Sequence, residues 1–400
     1  MIFNTWLYGF FLAAVVAIFW LLPPRVRPFW LIGAGLVFYA NYHPPHLPLI
    51  VVLTVVVYGA ARAAAALATP GPRRKRRALL GAGIVLSLGV LAYYKYSLFI
   101  VGTLFQLGVR GPASILTLIP LRAPLAISFF VFEYVHYLIE VRRGRIAPGR
   151  PRDFFLFILF FPTLISGPIK RFDDFQPQIG AVRTIDHGEI GRGLERIVYG
   201  LAKKVLVADT VQRLIAPLWA TPLAQPTWLL WLMTYGYAVQ ILFDFSGYSD
   251  IAIGSAQLLG FHVPENFAYP YLQPNIQRFW GSWHMSLTSW IRDYVYVPLG
   301  GNRRGPLRTH ANRLIAMALC GLWHGAAGHF VLWGAYHGLG LNLFQLWRRV
   351  RARLPLPDFG FAGRVAATVF TFHFVCIGWV LFVLDARRAS AVILRLLGIA

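Results

Sequence analysis

Phe3 to Leu22 reads FNTWLYGFFLAAVVAIFWLL, twenty residues without a charge. A helix that crosses a bilayer needs about 20 apolar residues, because hydrocarbon offers no water to satisfy backbone N–H and C=O groups. No basic region precedes Trp6, no small-residue cleavage pattern follows, and Pro23-Pro24 with two arginines comes directly after. The stretch therefore reads as a retained helix and not a secretory signal. Similar runs recur at Phe29 to Tyr42, Leu47 to Leu67, Leu79 to Ile100, Leu121 to Ile139, Phe154 to Ile165 and onward to Thr371 to Leu384. Roughly ten or eleven segments of this kind predict an all-α polytopic membrane protein.

Composition agrees with that class. Of the 400 residues 57% are hydrophobic and 13% charged, where a soluble domain carries about a quarter charged residues. Membrane lipid is thus the expected surrounding. The net charge of +23 does not point to nucleic acid, since the basic residues punctuate apolar runs. Arg25 and Arg27, Arg73 to Arg77, and Arg142 to Arg152 each follow an odd-numbered run, whereas Asn41 to His46 and Gly108 to Pro112 hold almost no positive charge. Basic loops stay cytoplasmic, so the N-terminus is expected outside. Cys320 and Cys376 both lie in apolar runs, with no disulfide or metal spacing, and are expected to pack.

Without a repeat or a flexible linker, residues 1–400 read as a single membrane domain. From Phe161 onward Pro, Gly, Trp, His and acids intrude into apolar sequence. Such residues are tolerated at membrane depth only where backbone is buried in protein or lines a cavity, which places an internal site in the second half. Arg183 to Asp209 carries apolar residues at three- and four-residue spacing and predicts an amphipathic helix along the interface. Asn275 to Leu299 is too polar to face lipid and too apolar for a loop. It predicts a re-entrant or half-buried pair of short helices, ended by Pro298 and the Gly300-Gly301 turn.

Five of the eleven histidines fall between His284 and His337, and ionisable groups at membrane depth mark function. His324 stands in Gly321-Leu322-Trp323-His324-Gly325-Ala326, where small neighbours let another chain approach. His284 lies between Trp283 and Met285, with Ser286 next. A neutral imidazole can take a proton from a hydroxyl without a charge being buried beforehand. An acyl thioester is already activated, so beyond that base it needs only a donor for the developing oxyanion. No Gly-x-Ser-x-Gly elbow is present, which favours direct transfer over a serine acyl-enzyme. His337, thirteen residues beyond His324, would lie about 20 Å further along a continuous helix and reads as structural. His324 and His329 could pair on a metal, but without a cysteine pair or nearby carboxylate no metal site is expected. Gln240, Asp244 and Tyr248 share one helical face, with Asp250 close behind. Asp244 and Asp250 carry the rival reading of an ion- or proton-coupled transporter; a non-catalytic subunit for polymer export is a third.

Several of these residues belong to longer runs: Arg278-Phe279-Trp280 through Trp283-His284-Met285-Ser286-Leu287, Arg292 through Pro298-Leu299-Gly300-Gly301-Asn302-Arg303, Phe243 to Asp250, Pro264-Glu265-Asn266-Phe267 and Gly321-Leu322-Trp323-His324-Gly325. Together with Ile127 to Phe130, Phe161-Pro162 and Ser166 to Ile169, they resemble the membrane-bound O-acyltransferase family, in its alginate O-acetylase branch. The resemblance implies helices around a central tunnel in a bacterial cytoplasmic membrane. An acyl group, acetyl expected, would pass from a cytoplasmic thioester (acyl-CoA or acyl-carrier protein) to hydroxyls of an exported, alginate-like polysaccharide or to periplasmic partner proteins. It further implies His324 and His284 as catalytic residues, with Trp283, Trp323, Asp244, Asn302 and Ser286 shaping the site, no bound cofactor and no metal. D-alanyl transfer to a cell-envelope polymer is the alternative; that branch lacks the Pro298-to-Arg303 turn. Gly281-Ser282 and Gly328-His329 depart from the family pattern.

Overall fold

The structure, a computed structural model, describes residues 3, 5–42, 44–67, 73–109, 122–181, 184–354, 357 and 360–399. They form helices joined by short 3-10 and π-helical turns, with no strand among the described residues. The chain divides into two compact units, Met1–Tyr199 with Tyr248–Pro264, and Gly200–Gly247 with Glu265–Ala400.

The first unit holds α1 (Trp6–Leu21), α2 (Arg27–Tyr42), α3 (Leu47–Ala66), α4 (Arg73–Leu91), α5 (Ser97–Gln106), α6 (Ile127–Arg143), α7 (Pro151–Leu159), α8 (Phe172–Ala181) and most of α9 (His187–Leu201). Local chemistry sets several ends. Thr5 caps α1 by accepting from the Tyr8 N–H, proline opens α7, and Gly144 ends α6 in the left-handed region. The Tyr134 and Thr54 hydroxyls meet at 2.7 Å inside the unit, and the Lys170 ammonium reaches the buried Glu133 carboxylate at 2.5 Å.

Two expectations change here. Phe154 to Ile165 is not one spanning helix: α7 has 9 residues and breaks at Phe160, where Pro162 denies the next turn an N–H. Nine residues rise only about 14 Å against a core of about 30 Å. The predicted interfacial helix starts at His187, holds a π-helical turn over Ala202–Ala208 and continues as α10 (Asp209–Ala220), while Arg183 lies outside the described residues. Among the described residues three stretches are long and apolar enough to cross a membrane, Pro44–Ala66, Arg73–Gln106 and Gly360–Val383; α1 is equally apolar but shorter.

The second unit holds α10, the first two-thirds of α11 (Thr227–Leu258), the short α12 (Ile276–Trp280) and α13 (Met285–Ile291), then α14 (Pro306–His324), α15 (Gly328–Arg351), α16 (Gly360–Val383) and α17 (Ala386–Leu396). The short pair appears where the sequence between Asn275 and Leu299 predicts it, and Asn275 caps α12 through the Arg278 N–H. Helices α14 and α15 form a hairpin of very close approach. A Cβ on Gly334 would stand 2.1 Å from the Met317 carbonyl oxygen, and one on Gly321 2.0 Å from that of Phe330. The small residues around His324 thus admit a neighbouring helix of the same chain. The core of this unit is aromatic, with Phe279, Trp280, Trp283, Trp333 and Trp379 packed on Met317, Val375 and Cys376. Both cysteines are free and buried, as packing residues would be.

Candidate active site

The residues before His284 turn sharply, and that turn aims its ring. Phe267 and Trp283 pair in an isolated antiparallel bridge, with the Ala268 N–H donating to the Ser282 carbonyl at 3.0 Å. His284 itself adopts φ 42° and ψ 54°, a left-handed conformation that costs a non-glycine residue about 1–3 kcal/mol unless its surroundings hold it. Asn266 does the holding. Its carbonyl accepts from the Met285 N–H at 3.0 Å, and its side-chain Oδ1 accepts from the Ser286 hydroxyl at 2.6 Å and the Ser286 N–H at 3.4 Å.

His324 is the last residue of α14. The helix stops there because Gly325 is extended, and α15 restarts at Gly328. The two imidazoles face each other with ring centroids 6.4 Å apart. Trp323 lies against both, 5.7 Å from His284 and 4.9 Å from His324. Phe245 closes edge-on over His284 at 4.6 Å, while Trp333 and Phe382 flank His324 at 5.3 and 5.2 Å. Phe245, Asn266, Trp333 and Phe382 thus join the two histidines from four other parts of the chain.

The box is lined by apolar rings, yet it encloses unpaired polar atoms. His284 is 1% exposed, and neither of its ring nitrogens has a hydrogen-bond partner in the protein. The Trp280 and Trp333 indole N–H groups and both nitrogens of His337 are in the same condition. Buried polar groups are nearly always paired, and each one left unmade costs about 1–3 kcal/mol. These groups lie among the rings of one aromatic cluster, in which Trp333 contacts His324, Trp280 and His337.

On a continuous helix His337 would lie about 20 Å beyond His324, but the helix is not continuous. The break at Gly325 folds α15 back, so Trp333 touches His324 at 5.3 Å and His337 at 4.9 Å between ring centroids. The remaining predicted residues divide. Trp283 packs beneath the site against Phe267, Phe279 and Trp379. Ser286 commits its hydroxyl to Asn266. Asp244 binds Lys204 at 2.5 Å, which also reaches Asp209 at 2.7 Å, and Asp250 binds Arg196 at 3.0 Å, so each acid already holds a cation. Asn302 is exposed on the turn after α13. His329 directs Nδ1 at the Leu381 carbonyl, 3.0 Å away, so that ring tethers α15 to α16. Among the described residues no group of three or more His, Cys, Asp or Glu could hold a metal.

Comparison with known proteins shows the family of the chain. The profile of the "MBOAT, membrane-bound O-acyltransferase family" matches residues 121–384. A "Probable alginate O-acetylase" of Azotobacter vinelandii is 37% identical over 96% of this chain and 75% of its own length. The "Peptidoglycan O-acetyltransferase" of Helicobacter pylori is 30% identical over 96% of this chain and 77% of its own length. The "Teichoic acid D-alanyltransferase" of Bacillus subtilis is 32% identical over 64% of this chain and 68% of its own length. The matched profile embraces both histidines and every side chain packed on them, and the chain belongs to the membrane-bound O-acyltransferase family: it is a membrane protein and an O-acyltransferase.

Proposed function

We propose that this protein transfers an acyl group, acetyl by expectation, from a thioester presented at the cytoplasmic face to hydroxyls of an exported polysaccharide, or to a periplasmic partner that acylates it. The observation that carries the proposal is the pair of imidazoles 6.4 Å apart, one of them fully buried with both nitrogens unpartnered. In the proposed step the His324 ring accepts the proton of the acceptor hydroxyl. The oxygen attacks the thioester carbonyl, and His284 donates to the oxyanion or orients the hydroxyl. The C–S bond then breaks as the new C–O bond is retained, and the imidazolium returns its proton to the departing thiolate. The thioester, carried on coenzyme A or a carrier protein, is a co-substrate, so the protein itself needs no resident cofactor.

Acetyl is favoured over D-alanyl because the two O-acetyl-transferring relatives align over 96% of the chain and the D-alanyl one over 64%. We further propose that residues 1–400 act as one acyltransferase domain in a bacterial cytoplasmic membrane. It would have about ten crossings, the shorter helices lining a tunnel, and its N-terminus outside.

The test is the acyl-ester content of exported polysaccharide in cells carrying wild type, His324→Ala or His284→Ala, with membrane levels of each variant measured. Collapse of ester content at unchanged protein level and polymer yield is expected for both. Unchanged ester content for His324→Ala would overturn the reading.

A further inference from the structure

A cavity of about 590 Å³ in the second unit is lined by residues other than those of the histidine box. It is a groove between α15 and α16, walled by Leu343 and Trp347 on one side and Ala367 and Phe370 on the other, with Ile276 at its floor. Its rims are open: Phe370 is 73% exposed and Trp347 53%. That volume suits a drug-sized apolar ligand, and α16 is one of the helices apolar enough to cross a membrane.

Beyond one end of the groove, outside its lining, both helices carry arginines. The lining positions of α15 recur at three- and four-residue spacing, and the next position on that face after Trp347 is Arg351. On α16, which runs back along the groove, the position one turn before Ala367 is Arg364. The two guanidinium-bearing positions therefore cap the same end. Arg348, Arg349 and Arg353 add charge around them. Arg351 is tied in place, its Nη2 donating to the Pro357 carbonyl at 2.8 Å. An apolar slot that ends in arginines, with a tryptophan at the junction, has the layering of one lipid leaflet: acyl chain, interface, phosphate.

We infer that this groove is a binding site for an anionic phospholipid of the bilayer, one acyl chain lying between α15 and α16 and the phosphate held at Arg351 and Arg364. The occupant is set by charge complementarity. A zwitterionic lipid would fill the slot equally well but gain less from the arginine end. The inference stands apart from the acyl-transfer chemistry, although Phe374 links the two places, lining the groove while its ring packs on Tyr336 at 4.4 Å and on His337 at 5.8 Å.

The test uses the full-length protein purified in detergent and mixed with phosphatidylglycerol or phosphatidylcholine, with bound lipid counted by native mass spectrometry. Wild type is expected to retain phosphatidylglycerol at least fivefold better. Ala367→Trp, which fills the slot, should lose both lipids. The double variant Arg351→Gln/Arg364→Gln lies on the surface and should keep lipid but lose the preference; unchanged thermal unfolding confirms that each variant is folded. Equal retention of the two lipids by wild type, or wild-type retention by Ala367→Trp, would overturn the site. So would displacement of the lipid by an acyl thioester, because the groove would then belong to the donor.

Discussion

Replacing Asn266 with alanine tests whether the strained backbone at His284 matters to the reaction. The variant keeps the main-chain bond from Met285 but removes Oδ1, the acceptor for both the Ser286 hydroxyl and its N–H. Leaving a buried hydroxyl unmade costs about 1–3 kcal/mol, which is the size of the left-handed strain that Asn266 opposes. The turn can then relax and carry the imidazole out of line with His324. At 1.4 kcal/mol per factor of ten, the productive population should fall about 5- to 140-fold. Measured with purified protein, labelled acetyl thioester and polymer acceptor, kcat should drop by that factor while KM for the thioester holds. The double variant Asn266→Ala/Ser286→Ala removes both partners of the bond, which can be nearly neutral, and should recover much of the loss. Activity of Asn266→Ala within twofold of wild type, or a double variant no better than the single, would refute the argument.

Gly334→Ala would drive a methyl group into the Met317 carbonyl oxygen; a loss of about 1–3 kcal/mol or more is expected, read as a lower unfolding temperature in detergent and a reduced membrane level. Lys204→Met strands two carboxylates, Asp209 and Asp244, whereas Asp244→Asn strands none. Lys204→Met should therefore be the less stable by about 1–3 kcal/mol, between exposed and buried pairs, and Asp244→Asn should keep transfer within a few-fold, which ester content of the product checks. Asp385 caps α17 by accepting from the Arg388 and Arg387 N–H groups, and these bonds hold its carboxyl below the usual carboxylate range. A depressed folded-state value means that the cap's contribution is complete above the ordinary carboxylate range and is lost as pH falls through the folded value. Hydrogen exchange at the Arg388 amide should accelerate over that acid window in wild type and show no such step in Asp385→Asn.

The legible part of this molecule is what the solvent imposes. Lipid demands long apolar runs, and Leu47 to Ala66 and Thr371 to Val383 lie in helices long and apolar enough to cross a membrane, whereas Phe29 to Tyr42 lies in a helix of 16 residues that falls short of that length. The candidate site was legible through its cost: His284 and His324 stand out because imidazoles are rare in such surroundings, and their ring centroids lie 6.4 Å apart. The path of the chain at breaks was hidden. Periodicity continues across Gly325 and Phe160 as if the helices did, so a continuous-helix count sets His337 too far from its neighbours and reads Phe154 to Ile165 as one spanning run. Asn266 and Phe382 were hidden for another reason, since nothing local in Pro264-Glu265-Asn266-Phe267 or in the apolar α16 announces a partner in another element. Asp244 is committed to Lys204, forty residues before it in the chain, a pairing that no spacing rule contains.

The order in which the box is assembled has a consequence for biosynthesis. Its walls come from Phe245, His284, His324, Trp333 and Phe382, in that order along the chain. A ribosome adds about 5–20 residues per second, so His284 and His324 exist for several seconds before Phe382 is made, and longer before it inserts. Throughout that interval the imidazoles lack their last aromatic wall. The ring of aromatic walls around the two imidazoles is therefore complete only once the helix that carries Phe382 has been made and packed.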